Sequence, residues 1–280
     1  MKLGVIGYGS RIGDVIGELT KQDPDCRVTA FTDPHPEPKG IASSGQDKAR
    51  MQRFETAEQM LEACELDGVL IGTRCDLHTE MALQVLPRRI PLYLEKPVAT
   101  NGDDLLRLRA ANERFRPPAV VSFPLRVTIV TQMVKEIVDS GKIGTIEHVQ
   151  AVNNVPYGAV YYQNWYRDER VTGGLFLQKA THDFDYLNYV IGMQPVEVAA
   201  MTSKQIFKGD RPAGLKCKDC SDNRTCPDST AFATGSEAGW EYCCYAEDTG
   251  NEDSGSVLLR YATGMHAVYS QNFFVRRGAG

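Results

Sequence analysis

The feature that most constrains the fold is a glycine turn close to the start of this 280-residue chain. The apolar run Lys2–Ile6 leads directly into Gly7-Tyr8-Gly9, and apolar residues then recur at helical spacing from Ile12 to Leu19. A strand, a glycine turn and a helix in this order are the context of a dinucleotide-binding fingerprint. Gly7 permits the tight turn, and Gly9 lets the backbone approach a pyrophosphate at the helix N-terminus.

The fingerprint has one departure, because Ile12 occupies the usual third glycine position and Gly13 comes one place later. Taken alone, the glycines therefore leave an incidental turn open. Asp33 strengthens the match, since it ends a second apolar run about where an acid is expected to bind the ribose hydroxyls. That carboxylate would repel a 2′-phosphate and favours NAD, although Arg11 and Lys39 leave NADP possible. The alternative is that Asp33 serves as a turn residue before Pro34.

Short apolar strands then alternate with helical segments along the first half of the chain, which predicts a parallel, doubly wound sheet. We expect this Rossmann dinucleotide-binding domain to cover residues 1–122. The segments are strands at Arg27–Thr32, Asp67–Thr73, Tyr93–Pro97 and Ala119–Phe123 and helices at Ala57–Cys64, Leu77–Leu86 and Asp103–Phe115.

Lys96 stands at the carboxyl end of one of these strands, in Glu95-Lys96-Pro97. Ligands of open α/β sheets collect beyond the carboxyl ends of the strands. Partial burial there lowers the pKa of a lysine and lets it exchange protons near neutrality. The alternative is a surface turn with a solvated ion pair.

The ordered set of these motifs resembles the glucose–fructose oxidoreductase/inositol dehydrogenase family (Gfo/Idh/MocA). The resemblance continues through Asp139–Gly144, then Gly173-Gly174, and His182-Asp183-Phe184-Asp185. It implies an NAD(P)-dependent enzyme acting on a sugar, cyclitol or related polyol, with Lys96 and His182 as the catalytic pair. The implied cofactor-binding residues are Gly7, Gly9, Ser10, Arg11, Ile12, Asp33, Thr73, His78, Glu95 and Lys96.

Two departures from the family pattern bear on the site. The family loop that usually reads T-P-N-x-x-H is Thr73-Arg74-Cys75-Asp76-Leu77-His78 in this chain. Gln178 stands four residues before His182, where many family dehydrogenases carry an aspartate, and Lys179 follows it as in a subset of members. His182 therefore loses a common carboxylate partner and gains a cation nearby.

A helix is predicted over Phe176–Ile191, so that Lys179, His182 and Asp185 share one face. We assign Lys96 to proton exchange or orientation of the substrate hydroxyl, and His182 to general acid/base catalysis because imidazole titrates near neutrality. Asp185 is expected to orient the His182 ring. The predicted substrate-binding residues are Lys96, Trp165, Arg167, Lys179, His182 and Asp185, and an interface or core cluster is the alternative for the aromatic segment around Trp165.

The second domain is predicted over 123–280 as an α+β unit with a mainly antiparallel sheet, apparently short at its C-terminal end. A cysteine-rich insertion is expected over about 209–245. Its thiols have the raw material for a structural zinc site, and free thiols or disulfides are the alternatives. The zinc ligands would be Cys217, Cys220, Cys226 and Cys243. The family resemblance also implies a homo-oligomer formed through the C-terminal sheet.

The net charge of −5 and the lack of a basic run argue against nucleic acid or an anionic membrane as partner. No apolar run reaches the length of a membrane helix, so a cytoplasmic location is expected. Two rival functions stay open. One is an NAD-dependent glycoside hydrolase of the same fold, and the other is a non-catalytic nucleotide-binding sensor.

Overall fold

A computed structural model gives the structure of residues 1–156, 158–234 and 239–275. The chain divides into two compact units, Met1–Ser122 and Phe123–Gly280. Each unit has its own hydrophobic core.

The first unit contains a six-stranded sheet in the order β3-β2-β1-β4-β5-β6, with every pairing parallel. Its strands are β1 Lys2–Ile6, β2 Arg27–Thr32, β3 Gln52–Phe54, β4 Gly68–Ile71, β5 Leu92–Leu94 and β6 Ala119–Val121. From β1 the successive strands are added toward β3 on one side, and from β4 they are added toward β6 on the other, so the direction of winding reverses between β1 and β4. Open α/β sheets bind ligands at such a point. The Rossmann-type fold predicted from the sequence is confirmed.

The helices of the first unit are α1 Ser10–Gln22, α2 Lys39–Ser44, α3 Ala57–Ala63, α4 His78–Val85 and α5 Gly102–Phe115. Short 3-10 helices cover Lys48–Arg50, Cys75–Leu77 and Leu86–Arg88. The side chains of Thr56 and Asn101 accept hydrogen bonds from the first turns of α3 and α5, which explains where both helices begin.

The second unit contains a four-stranded mixed sheet in the order β7-β10-β9-β8, with one parallel and two antiparallel pairings. Its strands are β7 His148–Asn154, β8 Pro195–Ser203, β9 Ser254–Tyr261 and β10 His266–Asn272. Its helices are α6 Ile129–Asp139, α7 Val160–Gln163, α8 Glu169–Thr172, α9 Leu175–Gln178 and α10 Ala180–Ile191, with 3-10 helices at Pro124–Val127, Trp165–Arg167 and Cys217–Asp219.

One face of this sheet carries the core of the second unit. Ala180 of α10 packs with Val257, Leu259 and Tyr269 of β9 and β10, all of them buried. The alternating burial of β9 leaves its other face exposed, as expected of an antiparallel strand that is covered on one side.

The single helix predicted over Phe176–Ile191 is wrong, because α9 ends at Gln178 and α10 begins at Ala180. The amide of Lys179 still bonds the carbonyl of Leu175, at 2.8 Å. The amide of His182 instead bonds the carbonyl of Lys179, at 3.4 Å. This three-residue step interrupts the four-residue ladder, so that Lys179 lies at the junction of two helices.

The predicted insertion lies within the long connection between β8 and β9. It is mostly irregular, and isolated bridges join Arg211 to Ala246 and Lys216 to Tyr242. Residues 235–238 of the insertion lie outside the described part of the chain.

Candidate active site

The glycine turn lies where the fingerprint predicts it, between β1 and α1. Gly7 has φ +78°, and a Cβ on it would come within 2.6 Å of the Thr73 backbone nitrogen. A Cβ on Gly9 would meet nothing within 4 Å, so the space in front of the helix N-terminus is open. A glycine turn that opens onto the first helical turn suits a pyrophosphate.

Ile12 is fully buried, which explains the departure from the third glycine. A Cβ on Gly72 would lie 1.9 Å from the Cγ1 of Ile12. The glycine that permits this close approach is therefore Gly72, which directly follows β4, and not a residue of α1. The Ile12 side chain lies in the core, and the expected contact of this residue with the cofactor stays a prediction.

Asp33 follows β2 and closes the glycine turn. Its Oδ2 accepts a hydrogen bond from the Tyr8 amide at 2.7 Å, and its Oδ1 accepts one from the His35 amide at 2.8 Å. The carboxylate is half-buried and lies beside the turn that would hold the pyrophosphate. Asp33 therefore has the turn role given as the alternative, and a carboxylate oxygen has acceptor capacity left for ribose hydroxyls.

Glu95 is buried and belongs to a polar network at the carboxyl edge of the sheet. Its Oε1 lies 3.2 Å from the Nε of Arg11, and the Tyr93 hydroxyl donates to the same oxygen at 3.2 Å. The Tyr93 hydroxyl also lies 2.8 Å from the Ser122 Oγ, and burial raises the pKa of Tyr93. Glu95 thus holds Arg11 of the glycine turn against β5 and β6.

Lys96 is half-buried and directly follows β5 at this same edge, and the Lys96–Pro97 peptide bond is cis. Cys75, from the loop after β4, lies close enough for the charge of Lys96 to affect it. Burial nevertheless raises the pKa of the Cys75 thiol to about 11. The glycine turn, Asp33 and Lys96 thus share the carboxyl edge formed by β1, β2 and β5.

His78 was expected among the cofactor contacts, but its ring is only 1% exposed. Nδ1 lies 2.6 Å from the Pro97 carbonyl oxygen and Nε2 lies 3.2 Å from the Thr73 carbonyl oxygen. Burial lowers the pKa of His78. Both ring nitrogens face backbone carbonyls, and the expected contact of His78 with the cofactor stays a prediction.

In the second unit, α10 carries His182 near its start. The ring of Phe123 lies edge-on to the His182 ring, with centroids 6.0 Å apart and an interplanar angle of 89°. Gln178 and Lys179 precede His182 at the helix junction, Gln178 buried and Lys179 half-buried. Lys179 therefore lies at the junction and His182 in the first turn of α10, so the two residues are not on one continuous helix.

Asp185, expected to orient the His182 ring, pairs with an arginine. Its two carboxylate oxygens bond the guanidinium of Arg126, with Nε–Oδ2 at 2.6 Å and Nη2–Oδ1 at 2.5 Å. This bond raises the pKa of Arg126. The two-point geometry is the strong form of an arginine–carboxylate pair, and it fixes α10 against the 3-10 helix Pro124–Val127.

Asp183, the neighbour of His182, was not predicted as a site residue. It is 3% exposed, and its Oδ2 accepts hydrogen bonds from Tyr269 Oη and Asn153 Nδ2, both at 2.6 Å. Burial and the carboxylate together raise the pKa of Tyr269. Asp183 thus ties α10 to β7 and β10 directly beside His182. The sequence signal for this role of Asp183 was an acidic residue within the apolar pattern of the helix that carries His182.

Arg167, predicted to bind the substrate, is 6% exposed. Its guanidinium pairs with Asp248 and stacks over the Tyr242 ring at 4.5 Å. Trp165 is half-buried and stacks on Tyr166, with ring centroids 3.8 Å apart. The substrate-binding role of Trp165 and Arg167 stays a prediction beside its alternative, an interface or core cluster.

All eight cysteines are free thiols. Burial raises the pKa of the Cys243 thiol, and the charges of Cys217, Cys220 and Cys226 raise it further. Within residues 1–156, 158–234 and 239–275, however, no group of three or more His, Cys, Asp or Glu side chains is arranged to hold a metal ion. The described thiols thus give no support to the predicted zinc site.

The sheet order and the residues on its carboxyl edge define the class of protein: a dinucleotide-binding oxidoreductase. Residues 1–116 match the oxidoreductase family with an NAD-binding Rossmann fold, and residues 131–279 match the GFO/IDH/MocA C-terminal domain. The chain therefore belongs to the GFO/IDH/MocA family, as the sequence motifs indicated. This membership makes it a dehydrogenase of the class that acts on CH–OH groups.

Among curated relatives, the rhizopine catabolism protein MocA of Rhizobium meliloti is 27% identical over 227 residues, which are 79% of this chain and 68% of the relative. The inositol 2-dehydrogenase of Rhizobium meliloti is 26% identical over 273 residues, or 97% of this chain and 68% of the relative. The chain thus spans about two thirds of the length of these two relatives.

Solved structures share the fold. The myo-inositol 2-dehydrogenase from Lactobacillus plantarum superposes with a TM-score of 0.72 at 18% identity, covering 99% of this chain and 71% of that one. The WlbA dehydrogenase from Bordetella pertussis, in complex with NADH and UDP-GlcNAcA, gives 0.73 at 20% identity, covering 99% and 73%. In the described part of this chain, no helix is long and apolar enough to cross a membrane.

Proposed function

We propose that this chain oxidises a secondary alcohol of a cyclitol or related sugar polyol, with NAD as the hydride acceptor. The observation that carries the proposal is the shared carboxyl edge of the parallel sheet, where the glycine turn, Asp33 and Lys96 follow β1, β2 and β5. The inositol 2-dehydrogenases among the relatives support a cyclitol as the first substrate to test.

The residues at this edge fit a dinucleotide. The open space at Gly9 accommodates the pyrophosphate, and the Asp33 carboxylate offers acceptors to the adenosine ribose while repelling a 2′-phosphate. Bound NAD would supply the hydride acceptor. We therefore infer a preference for NAD over NADP.

Lys96 and His182 are the groups proposed to handle the hydroxyl proton. Lys96 is half-buried at the carboxyl edge of the sheet, where its amine is proposed to take the hydroxyl proton or to orient the substrate hydroxyl. His182 has the side chain that exchanges protons near neutral pH, and the Asp183 network and the Arg126–Asp185 pair fix the helix that carries it.

A thermal-shift screen with NAD, NADP and a polyol library, followed by an absorbance assay for NADH, tests the function. We expect NAD to raise the melting temperature more than NADP does, because a ligand of the folded state stabilises it by mass action. At least one cyclitol should then yield NADH. Free sugar released from a glycoside without net NADH would instead indicate the glycosidase, and NAD binding without turnover would indicate a sensor.

A homo-oligomer through the open face of the C-terminal sheet is proposed as well. Val152 of β7, Met201 of β8 and Leu258 of β9 share that face and are 67%, 81% and 57% exposed. Light scattering at micromolar concentration should give a dimer or larger assembly, and the double variant Met201→Glu, Leu258→Glu should be a monomer. A monomeric wild type would contradict the proposal.

Zinc at Cys217, Cys220, Cys226 and Cys243 is retained as a proposal, because the four thiols fall within one insertion and the first two have the C-x-x-C spacing. Metal analysis of protein purified without chelator tests it. About one equivalent of zinc is expected for a four-cysteine site. A trace amount would end the idea.

A further inference from the structure

His78 bridges two loops at the carboxyl edge of the sheet. It is the first residue of α4, and its buried ring lies between the loop that follows β4 and the turn that follows β5. Nδ1 is 2.6 Å from the Pro97 carbonyl oxygen and Nε2 is 3.2 Å from that of Thr73. A neutral imidazole has one N–H, which we assign to Nδ1 because the Pro97 contact is the shorter.

The next residue of α4 repeats the connection. Thr79 is 1% exposed, and its hydroxyl donates to the Val98 carbonyl oxygen at 3.1 Å. Two consecutive residues of α4 thus bond two consecutive carbonyls that directly follow Lys96. A double connection of this kind fixes both the position and the register of the turn, because neither carbonyl can move without leaving a buried polar group unsatisfied.

Lys96 directly precedes these two carbonyls, so the connection holds the backbone next to the residue that carries the ammonium. A shift of the two loops relative to each other would move the lysine ammonium with respect to anything bound at the edge.

We propose that His78 is the positioning residue for Lys96. By donating from Nδ1 to the Pro97 carbonyl, its ring holds the turn after β5 against the start of α4 and so fixes the place of the Lys96 ammonium. The inference rests on the proposed role of Lys96 in proton exchange. A catalytic group displaced by about 1 Å can lose about 100-fold in rate, so a residue that fixes its place affects turnover without touching the substrate.

Three variants separate this role from the alternatives. His78→Leu removes the Nδ1 hydrogen bond to Pro97, and His78→Asn keeps one amide donor near the position of Nδ1. Leu61→Ala is the control, because Leu61 is 4% exposed in the core of the same unit, on α3, and its side chain has no hydrogen-bonding group. We expect it to lower stability without changing the hydrogen bonds of the turn after β5. If His78→Leu does not fold, Thr79→Val removes the second connection more gently.

The kinetic readout compares kcat with the affinity for NAD. We expect His78→Leu to lose about 100-fold in kcat with the Kd for NAD within about threefold of wild type, and His78→Asn to recover at least about tenfold. Leu61→Ala should melt at a lower temperature and keep its kcat below that temperature. Loss of NAD affinity with kcat unchanged would make the ring a cofactor contact and overturn the proposal.

A second readout needs no turnover. Reductive methylation with 13C-formaldehyde places an NMR label on each lysine, and Lys96→Arg identifies the Lys96 signal. The titration midpoint of that signal should move in His78→Leu by about half a pH unit or more and stay in place in Leu61→Ala. An unmoved Lys96 signal in folded His78→Leu would overturn the proposal. If the wild type shows the Lys96 signal but oxidises no polyol, the proposed function fails. The comparison with His78→Leu then still decides whether His78 positions Lys96.

Discussion

The guanidinium of Arg126 holds the carboxylate of Asp185 through two parallel hydrogen bonds of 2.6 and 2.5 Å. Asp185 lies one helical turn beyond His182, where the sequence suggests an aspartate that orients the imidazole. The arginine comes from 59 residues earlier in the chain, in the 3-10 helix Pro124–Val127. Asp185 therefore fixes α10, and the orientation of His182 depends on the placement of this helix.

Asp185→Asn is predicted to weaken the fold more than the chemistry. The carboxylate is 8% exposed and its partner 44% exposed, so solvent screens the pair in part and the loss should be about 1–2 kcal/mol in the free energy of unfolding. The kcat should stay within about tenfold of wild type. Urea unfolding and a standard NADH assay measure both. A kcat loss as large as that of His182→Ala would show that Asp185 acts on the imidazole directly.

Asp183→Ala is predicted to destabilise the second unit strongly. The change removes the acceptor of the Asn153 amide and the nearer acceptor of the Tyr269 hydroxyl, which keeps Gln271 Oε1 at 3.1 Å, so the loss should be about 1–3 kcal/mol. Chemical denaturation gives the value. Asn154→Ala is the matched control, because Asn154 follows Asn153 on β7 and its hydrogen bond from Asn272 is exposed; it should change stability by at most about 1 kcal/mol. Equal effects of the two variants would refute the role of Asp183.

Arg167→Ala is predicted to cost about 2–4 kcal/mol, because it leaves Asp248 unpaired and removes the stack on Tyr242. Arg170→Ala is the control, since Arg170 is 87% exposed and pairs only with its neighbour Asp168; its loss should be at most about 1 kcal/mol. Thermal unfolding measures both. A folded Arg167→Ala enzyme with a KM for polyol raised more than about tenfold would support the substrate-binding role.

These residues show why the site was only partly readable from the sequence. The bounds of β1 and β2, the glycine turn and Asp33 depend on neighbours close in the chain, and there the pattern was sufficient. Tyr269 lies 86 residues from Asp183, and Arg126 lies 59 from Asp185. Spacing rules carry no information about such pairs, because tertiary packing selects them.

The side chains of Ile12 and His78 show a related point. A motif position indicates the neighbourhood of a ligand but not the direction in which the side chain points. Ile12 points into the core because Gly72 makes room for it, and His78 points at two backbone carbonyls. Burial decides the role of each, and burial is a property of the folded chain.

Asp33→Ala is predicted to reduce the discrimination between NAD and NADP. Removing the carboxylate removes both the acceptors for the ribose hydroxyls and the repulsion of a 2′-phosphate. The ratio of kcat/KM for NAD to that for NADP should fall by about tenfold or more, since one or two hydrogen bonds to a charged group are involved. A ratio unchanged from wild type would leave Asp33 as a turn residue only.

The most direct test of the account is the kcat of Lys96→Ala with NAD and the polyol that the wild type oxidises best. Loss of a positioned proton-transfer group predicts a fall of about 100-fold or more, with the Kd for NAD within about threefold of wild type. The same assay on His182→Ala should give a comparable fall. Turnover within a few-fold of wild type in folded Lys96→Ala would contradict the proposed role of this lysine.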